Sequence, residues 1–376
     1  MSYGVFTSVY ANHDWKKAAK RAHNAGFTSV QFVPVIGGKW LGASEFSIEQ
    51  AQEVRAAYAA EGIEILAVSA GHSFVVPDAQ KRAQALSDAK RWIELAPAFG
   101  AQLVVTEIGS THPTHNWTDH SDNHTEETWQ TVVSIYRELA AHAAKFGVTV
   151  GVEMHFAAVI QSAELVRRIL DDVGEENLKV VYDPANLVTP ENADRQESQI
   201  DEFLRLLGKD IVLAHAKDTR IEKEHSIFGP AGGGVLPYSY YIKKLRESGY
   251  RGPLVLEYLK EEDVLQALAF LEKQQVPPFL LPLYDGDRQL YSNAKDLLDI
   301  VHAPQGALEP RYRLLISMVA DALKLHPAGA VACAREAIAA GATKEQVKEA
   351  LWVVLAAGGL PALIENFDVY REVILP

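Results

Sequence analysis

The sequence predicts an α/β fold, a (β/α)8 barrel followed by a small all-α domain. Three observations carry that prediction. Short apolar runs alternate with helix-like stretches eight times before residue 274, the pattern of a parallel sheet wound with crossover helices. Four successive runs late in that series stop on a side chain that can ligate a metal: TVGVE at Glu153, VVYD at Asp183, VLAH at His215 and PLVLE at Glu257. Beyond residue 274 the strand signal vanishes and helical periodicity takes over.

Taken in order, the first strand falls over residues 4–7 and its helix over 14–25, with Asp14 or Asn12 as cap and Gly26 as the stop. SVQFVP is strand two, and Lys39 and Trp40 lie in the glycine-rich loop after it. Ser47 and Gln50 have the spacing of a capping box that opens a helix running to Glu61. EILAVSA is strand three and ends at Gly71 and His72. A long helix covers 79–99, bent at Pro97. QLVVTE is strand four, ending at Glu107. The loop that follows carries His112, His115, His120 and His124. Their spacing matches no helical or hairpin ligand pair, so the expectation is a plain solvated loop or a lid over the barrel mouth, ahead of a second metal site. Helices are then expected at 126–146, 162–173, 201–207, 238–247 and 262–273. They alternate with strands ending at Glu153, Asp183, His215 and Glu257. Eight such pairs fill about 270 residues, close to the roughly 250 typical of the barrel. The barrel is therefore placed at 1–274. Residues 275–376 are read as a proline-rich linker, VPPFLLPLYDGD, and three helices at 311–325, 329–340 and 344–357, with Thr343 capping the last.

The 376 residues include 36 basic and 49 acidic side chains, a net charge of -13. That balance repels a phosphate backbone and argues against nucleic acid as a partner. One cysteine, Cys333, rules out an internal disulfide and fits a reducing compartment. No basic-then-apolar leader opens the chain, and no stretch comes near the roughly 20 apolar residues that span a bilayer. A cytoplasmic protein without membrane contact is expected.

The four strand-end ligands define the chemistry. A polar strand end taken alone needs no function, but four in succession converge only at the C-terminal mouth of a closed parallel barrel. Two glutamates, an aspartate and a histidine offer hard oxygens and one imidazole, a set suited to Mn²⁺, with Mg²⁺ or Co²⁺ as alternatives. Such an ion polarises a carbonyl and stabilises an enediolate formed when the neighbouring carbon loses a proton. Lys217, two residues after His215, faces the same way on a strand and is a candidate to hold the developing charge. His155 is a candidate to bind substrate or to orient Glu153.

Residues 1 to about 272 resemble the xylose isomerase-like barrel superfamily through VEMH, VYDPANL, HAKD, the glycines of AGGGVLPY, and LVLEYL. The resemblance implies that Glu153, Asp183, His215 and Glu257 are metal ligands, with Glu153 and Glu257 also the acid and base on opposite faces of a sugar. It implies an isomerase or epimerase of a carbohydrate or polyol; a dehydratase or lyase on a keto sugar or keto cyclitol is the alternative, since it begins with the same proton abstraction. Two positions depart from the ketose 3-epimerases: Asn186 stands where they carry His, and Ile221, beside Arg220, where they carry Arg. Candidate substrate-binding residues are His72, Glu107, Asn186, Arg220 and Trp40. Endonuclease IV shares the barrel, but its basic groove is at odds with this charge balance. A non-catalytic binding or assembly protein would not require both Glu153 and Glu257.

From about Tyr284 the chain resembles the carboxymuconolactone decarboxylase and AhpD-like helical family, through LLISMVADALKLHPAGAVACAREAIAAGATKEQVKEAL and GGLPALI. Redox members carry C-x-x-C with a His four residues on. Those places here hold His326, Gly329 and Cys333, so disulfide chemistry is unavailable. What the resemblance implies is a scaffold through which the chain forms a homo-oligomer.

Overall fold

A computed structural model of the protein describes residues 1–302 and 306–375. The chain divides into two compact units, Met1–Gln275 and Val276–Pro376.

The first unit is a closed barrel of eight parallel strands: β1 (Tyr3–Phe6), β2 (Ser29–Phe32), β3 (Glu64–His72), β4 (Leu103–Glu107), β5 (Thr149–Glu153), β6 (Leu178–Tyr182), β7 (Ile211–Glu222) and β8 (Leu254–Leu256). Each strand pairs in parallel with the next, and β8 closes on β1 through Tyr3↔Leu254 and Gly4↔Val255. Helices α1 (Trp15–Asn24) to α8 (Val264–Gln274) follow the strands in turn. Their starts are written in the sequence. The Asp14 carboxylate accepts the Lys17 N–H at 3.0 Å, Ser47 and Gln50 form the reciprocal box, and Ser162 caps the helix Ala163–Val173.

The two-residue period of a strand builds the site. Leu103, Val105, Val181, Leu213, Val255 and Ala67 form a buried cluster inside the barrel. One strand step of two from these residues, on the same face, stand Glu107, Asp183, His215, Glu257 and Ser69. Gly151 holds the corresponding place below Glu153: a Cβ there would lie 2.6 Å from Val181 Cγ2. An apolar plug thus fills the barrel under a layer of polar side chains.

Several expectations need correction. The helix placed at 201–207 begins five residues earlier, at Gln196. Strand β7 runs past its metal-ligand position to Glu222 and turns back as an antiparallel strand, His225–Pro230, pairing Lys217 with Pro230. Lys223 and Glu224 make that turn with φ of 48° and 65°. Two charged residues replace the Asn-Gly signal such turns usually carry, so the sequence pattern hides the hairpin. The supposed linker is helical: a short turn at Pro278–Leu280, then α9 (Leu281–Gly286) and α10 (Arg288–His302), packed around Val276, Leu280 and Tyr284. Its prolines stand at first-turn positions, where a missing N–H costs nothing, so they start helices and do not break them.

The second unit continues with α11 (Pro310–Leu323), α12 (Pro327–Ala339) and α13 (Lys344–Glu365) around Met318, Ala334 and Val354. Against expectation, α13 is by length and composition apolar enough to cross a membrane. Gly359 interrupts it with φ 72° and ψ -177°, two residues before Pro361, so the apolar run is two shorter helices meeting at a break.

Candidate functional site

Glu153, Asp183, His215 and Glu257 come together at the C-terminal mouth of the barrel, all buried, each offering a ligand atom within 4.8 Å of the others. Glu153 ends β5. Asp183 and Glu257 lie one residue beyond β6 and β8, and His215 lies inside β7. His215 Nδ1 is 3.4 Å from Glu153 Oε1, 3.4 Å from Glu257 Oε1 and 4.0 Å from Asp183 Oδ2.

The other face of the His215 ring sets its orientation. Its Nε2 lies 2.9 Å from Gln31 Oε1, and Gln31 Nε2 donates to Ser69 Oγ at 3.0 Å. With its amide N–H turned to Ser69, Gln31 presents a carbonyl oxygen that takes a proton from Nε2. Nδ1 therefore faces the carboxylates. That buried nitrogen makes no hydrogen bond of normal geometry among the described residues; burial disfavours a charged ring, but the Glu153 and Glu257 carboxylates outweigh it and raise the imidazole pKa to about 10, so the pocket between the carboxylates favours positive charge. Asp183 Oδ2 is likewise without a hydrogen bond, with the Lys217 ammonium 2.8 Å away. Gln31 escaped the sequence reading, although a lone amide in the apolar strand SVQF was its available signal.

Lys217 is wholly buried and reaches two carboxylates, donating to Glu257 Oε1 at 2.8 Å beside its contact with Asp183. Burial opposes ionisation of Glu257, but the Lys217 charge and His215 outweigh it and hold the carboxyl well below its usual range. Burial pushes Asp183 up to about 8, with Lys217 opposing and Glu257 adding. Burial, then Glu153, raises Glu107 well above the carboxylate range. Crowded carboxylates short of positive charge, around an unpartnered imidazole nitrogen, fit a divalent cation.

The remaining candidates have distinct places. Asn186 Nδ2 donates to Glu153 Oε1 at 2.8 Å, so this residue, where a resemblance-based pattern had His, holds the glutamate. His155 Nδ1 accepts the Ala157 N–H at 3.1 Å, leaving the proton on Nε2. Burial and then Lys217 lower its pKa to about 3, so it is a neutral donor. Asp218 accepts backbone N–H groups of Thr219, Gly232 and Leu236 and fastens the glycine-rich loop. Glu107, Arg220 and Trp40 line one cavity of about 860 Å³ above the cluster, together with Glu153, Asn186 and Lys217. Arg220 also pairs with Glu222. His72 keeps its strand position opposite Glu107, but its side chain lies outside the described residues. In the histidine-rich loop, His112 and His120 use Nδ1 to accept backbone N–H groups, while Trp117 reaches the cavity.

The fold and the convergent donors define a class: a (β/α)8 barrel with a buried cluster able to bind a divalent metal at its catalytic mouth. Residues 19–274 match the family described as xylose isomerase-like TIM barrel, and the chain belongs to that family. Residues 289–372 match the carboxymuconolactone decarboxylase family. An inosose dehydratase of Erwinia tasmaniensis is 27% identical over 157 residues, which are 39% of this chain and 52% of that protein. The chain spans about half the length of the curated relatives it matches. Among solved structures, 3-keto-D-glucoside 4-epimerase from E. coli aligns with a TM-score of 0.57 at 17% identity, covering 72% of this chain and 99% of that one. A xylose isomerase-like TIM barrel protein from Mycobacterium smegmatis, in complex with magnesium, aligns with a TM-score of 0.53 at 21% identity, covering 71% and 96%.

Proposed function

We propose that the barrel is a divalent-metal-dependent isomerase or epimerase of a sugar or polyol, working by proton abstraction beside a carbonyl. The observation that carries this reading is the unpartnered Nδ1 of His215 facing three buried carboxylates. In this reading Glu153, Asp183, His215 and Glu257 hold the ion, Mn²⁺ first, with Mg²⁺ or Co²⁺ as alternatives. When bound, it supplies Lewis-acid polarisation of a substrate carbonyl.

The chain's own residues do the rest. Glu257, kept ionised by Lys217, is the base that takes the proton from the carbon beside the carbonyl. Glu153, fixed by Asn186, returns a proton to that carbon. Lys217 steadies negative charge growing on the substrate oxygen. Neutral His155 donates its Nε2–H to a substrate hydroxyl, and Glu107, Arg220 and Trp40 complete the binding surface.

A dehydratase differs only after the proton has left, when a β-leaving group departs. The inosose dehydratases among the relatives favour that second reading. Proton exchange in D₂O, followed by NMR over ketoses and keto-inositols with Mn²⁺ or with chelator, tests both. Deuterium entering beside the carbonyl, and lost with chelator or Glu257→Gln, is the expected result; the product then separates epimerisation from elimination. No exchange and no metal uptake would sink the catalytic reading.

The helical unit is read as an assembly scaffold for a homo-oligomer. Its single cysteine excludes a dithiol site, and Trp352, Val353, Leu360 and Ile364 are exposed along α13.

A further inference from the structure

The cavity over the cluster is two-sided. Its floor is polar, formed by Glu107, Glu153, Asn186, Lys217 and Glu257. Its outer wall is aromatic and is assembled from separate loops. Trp117 comes from the loop after β4, Phe156 from the loop after β5, Phe228 from the hairpin after β7, and Tyr258 from the end of β8. The rings run in series. Trp117 lies 4.8 Å from His155, His155 5.6 Å from Phe228, and Phe228 5.2 Å from Tyr258, centroid to centroid. The three wall rings Trp117, Phe228 and Tyr258, joined through His155 at those separations, extend past the face of a single six-membered ring.

Two further facts describe this wall. Tyr258 is a non-glycine residue with φ of 58°, a conformation persisting only where the surroundings enforce it, and 60% of it is exposed at the mouth. Its ring packs on Phe228 and lies 5.4 Å from the Lys217 ammonium, and the rest of it is open to the cavity mouth. The cavity is open at its mouth and has room beyond a free sugar. A six-carbon polyol takes on the order of 200 Å³ at interior packing density, against about 860 Å³ for the cavity. That volume falls in the range of roughly 300–1,000 Å³ that encloses drug-sized ligands.

We infer that the substrate is a sugar or cyclitol bearing a flat apolar substituent, its polyol head on the carboxylate floor and its substituent laid against the wall of Trp117, Phe228 and Tyr258. This rests on the carbohydrate reading of the floor given above. The head places carbonyl and hydroxyl oxygens where Lys217, Asn186 and His155 supply donors. The substituent displaces water from the aromatic wall, whose ring faces accept flat C–H or aromatic surfaces.

Isothermal titration of the Mn²⁺-loaded full chain tests this with matched phenyl, methyl and unsubstituted glycopyranosides of the gluco, galacto and manno series. At least one phenyl glycoside is expected to bind tenfold or more tightly than its methyl counterpart. Tyr258→Ala and, independently, Trp117→Ala should bring that ratio close to one. Both changes are at exposed positions, and circular dichroism checks that each variant is folded. Equal affinity for phenyl and methyl partners, or no binding of either, overturns the inference. Metal uptake and deuterium exchange on free ketoses, measured on the same preparation, separate the two levels. If they persist without a phenyl preference, only the substituent site is lost; if they too are absent, the reading of the floor falls with it.

Discussion

His215 presents Nδ1 to the carboxylate cluster because Gln31, on the far side of the ring, accepts its Nε2–H at 2.9 Å. Gln31 is fixed in turn by Ser69. Partners that bond the outer nitrogen of a ligating histidine set its tautomer and its basicity. Gln31→Leu should therefore weaken Mn²⁺ binding by roughly 10–100-fold while the fold persists. Chelator competition measures it; an unchanged affinity would remove Gln31 from the site.

Asn186 stands in the same relation to Glu153, donating at 2.8 Å. A hydrogen bond to a charged group contributes about 1.5–3 kcal/mol. Asn186→Ala is expected to weaken Mn²⁺ binding, as Gln31→Leu does, and also to slow deuterium exchange per bound metal by about 10–100-fold. If metal binding falls and exchange per bound metal does not, Asn186 supports the ligand and not the proton transfer.

Gly151 leaves room for the plug beneath the cluster, since a Cβ would come within 2.6 Å of Val181 Cγ2 and 3.1 Å of Leu103 Cδ1. Gly151→Ala should destabilise the barrel by about 1–3 kcal/mol through overpacking. Adding Val181→Ala frees the space, so the double variant should recover part of the loss relative to the two single changes taken as additive. Thermal denaturation gives the comparison, and strict additivity would show that the two sites do not touch.

Cys333 is a poor nucleophile. Burial, followed by the charges of Asp321 and Glu336, pushes its thiol up to about 12, and Sγ donates toward Asp321 Oδ2 at 3.7 Å. The reactive thiolate is thus scarce at neutral pH and grows only as pH climbs toward that value. Iodoacetamide labelling at pH 8 should be on the order of a hundredfold or more slower than for free cysteine, and faster in Asp321→Asn. Labelling at the free-cysteine rate would refute the assignment.

The exposed face of α13 carries the assembly proposal. Trp352 is 59% exposed beside Val353. Trp352→Asp should shift the mass seen by light scattering toward the single chain at equal protein concentration. A wild-type protein that is itself a single chain would end the scaffold reading.

Much of this was legible in the chain. Alternating runs gave the eight strands and most of their helices because strand and helix periods leave different apolar patterns. The clustered candidates were visible because Glu153, Asp183, His215 and Glu257 each break an apolar run at its end. Asp14, Ser47, Ser162 and Thr343 marked helix starts because capping is local chemistry. Other features were not local. The hairpin at Lys223 and Glu224 turns on two positive φ values without a glycine, and the helical segment around α9 has prolines that read equally as breakers or as starters.

By itself, then, the sequence determined the barrel, the order of its strands and which four strand-end side chains are candidate ligands, since each depends on residue types within a few positions. Only the tertiary structure decided that Gln31, 184 residues before His215, fixes that imidazole, that Asn186 holds Glu153, and that four loops share an aromatic wall. Closing the barrel is the physical cause. It brings β2 across from β7 and sets the mouth loops side by side, and no local pattern encodes distances between segments that meet only when the ring is complete.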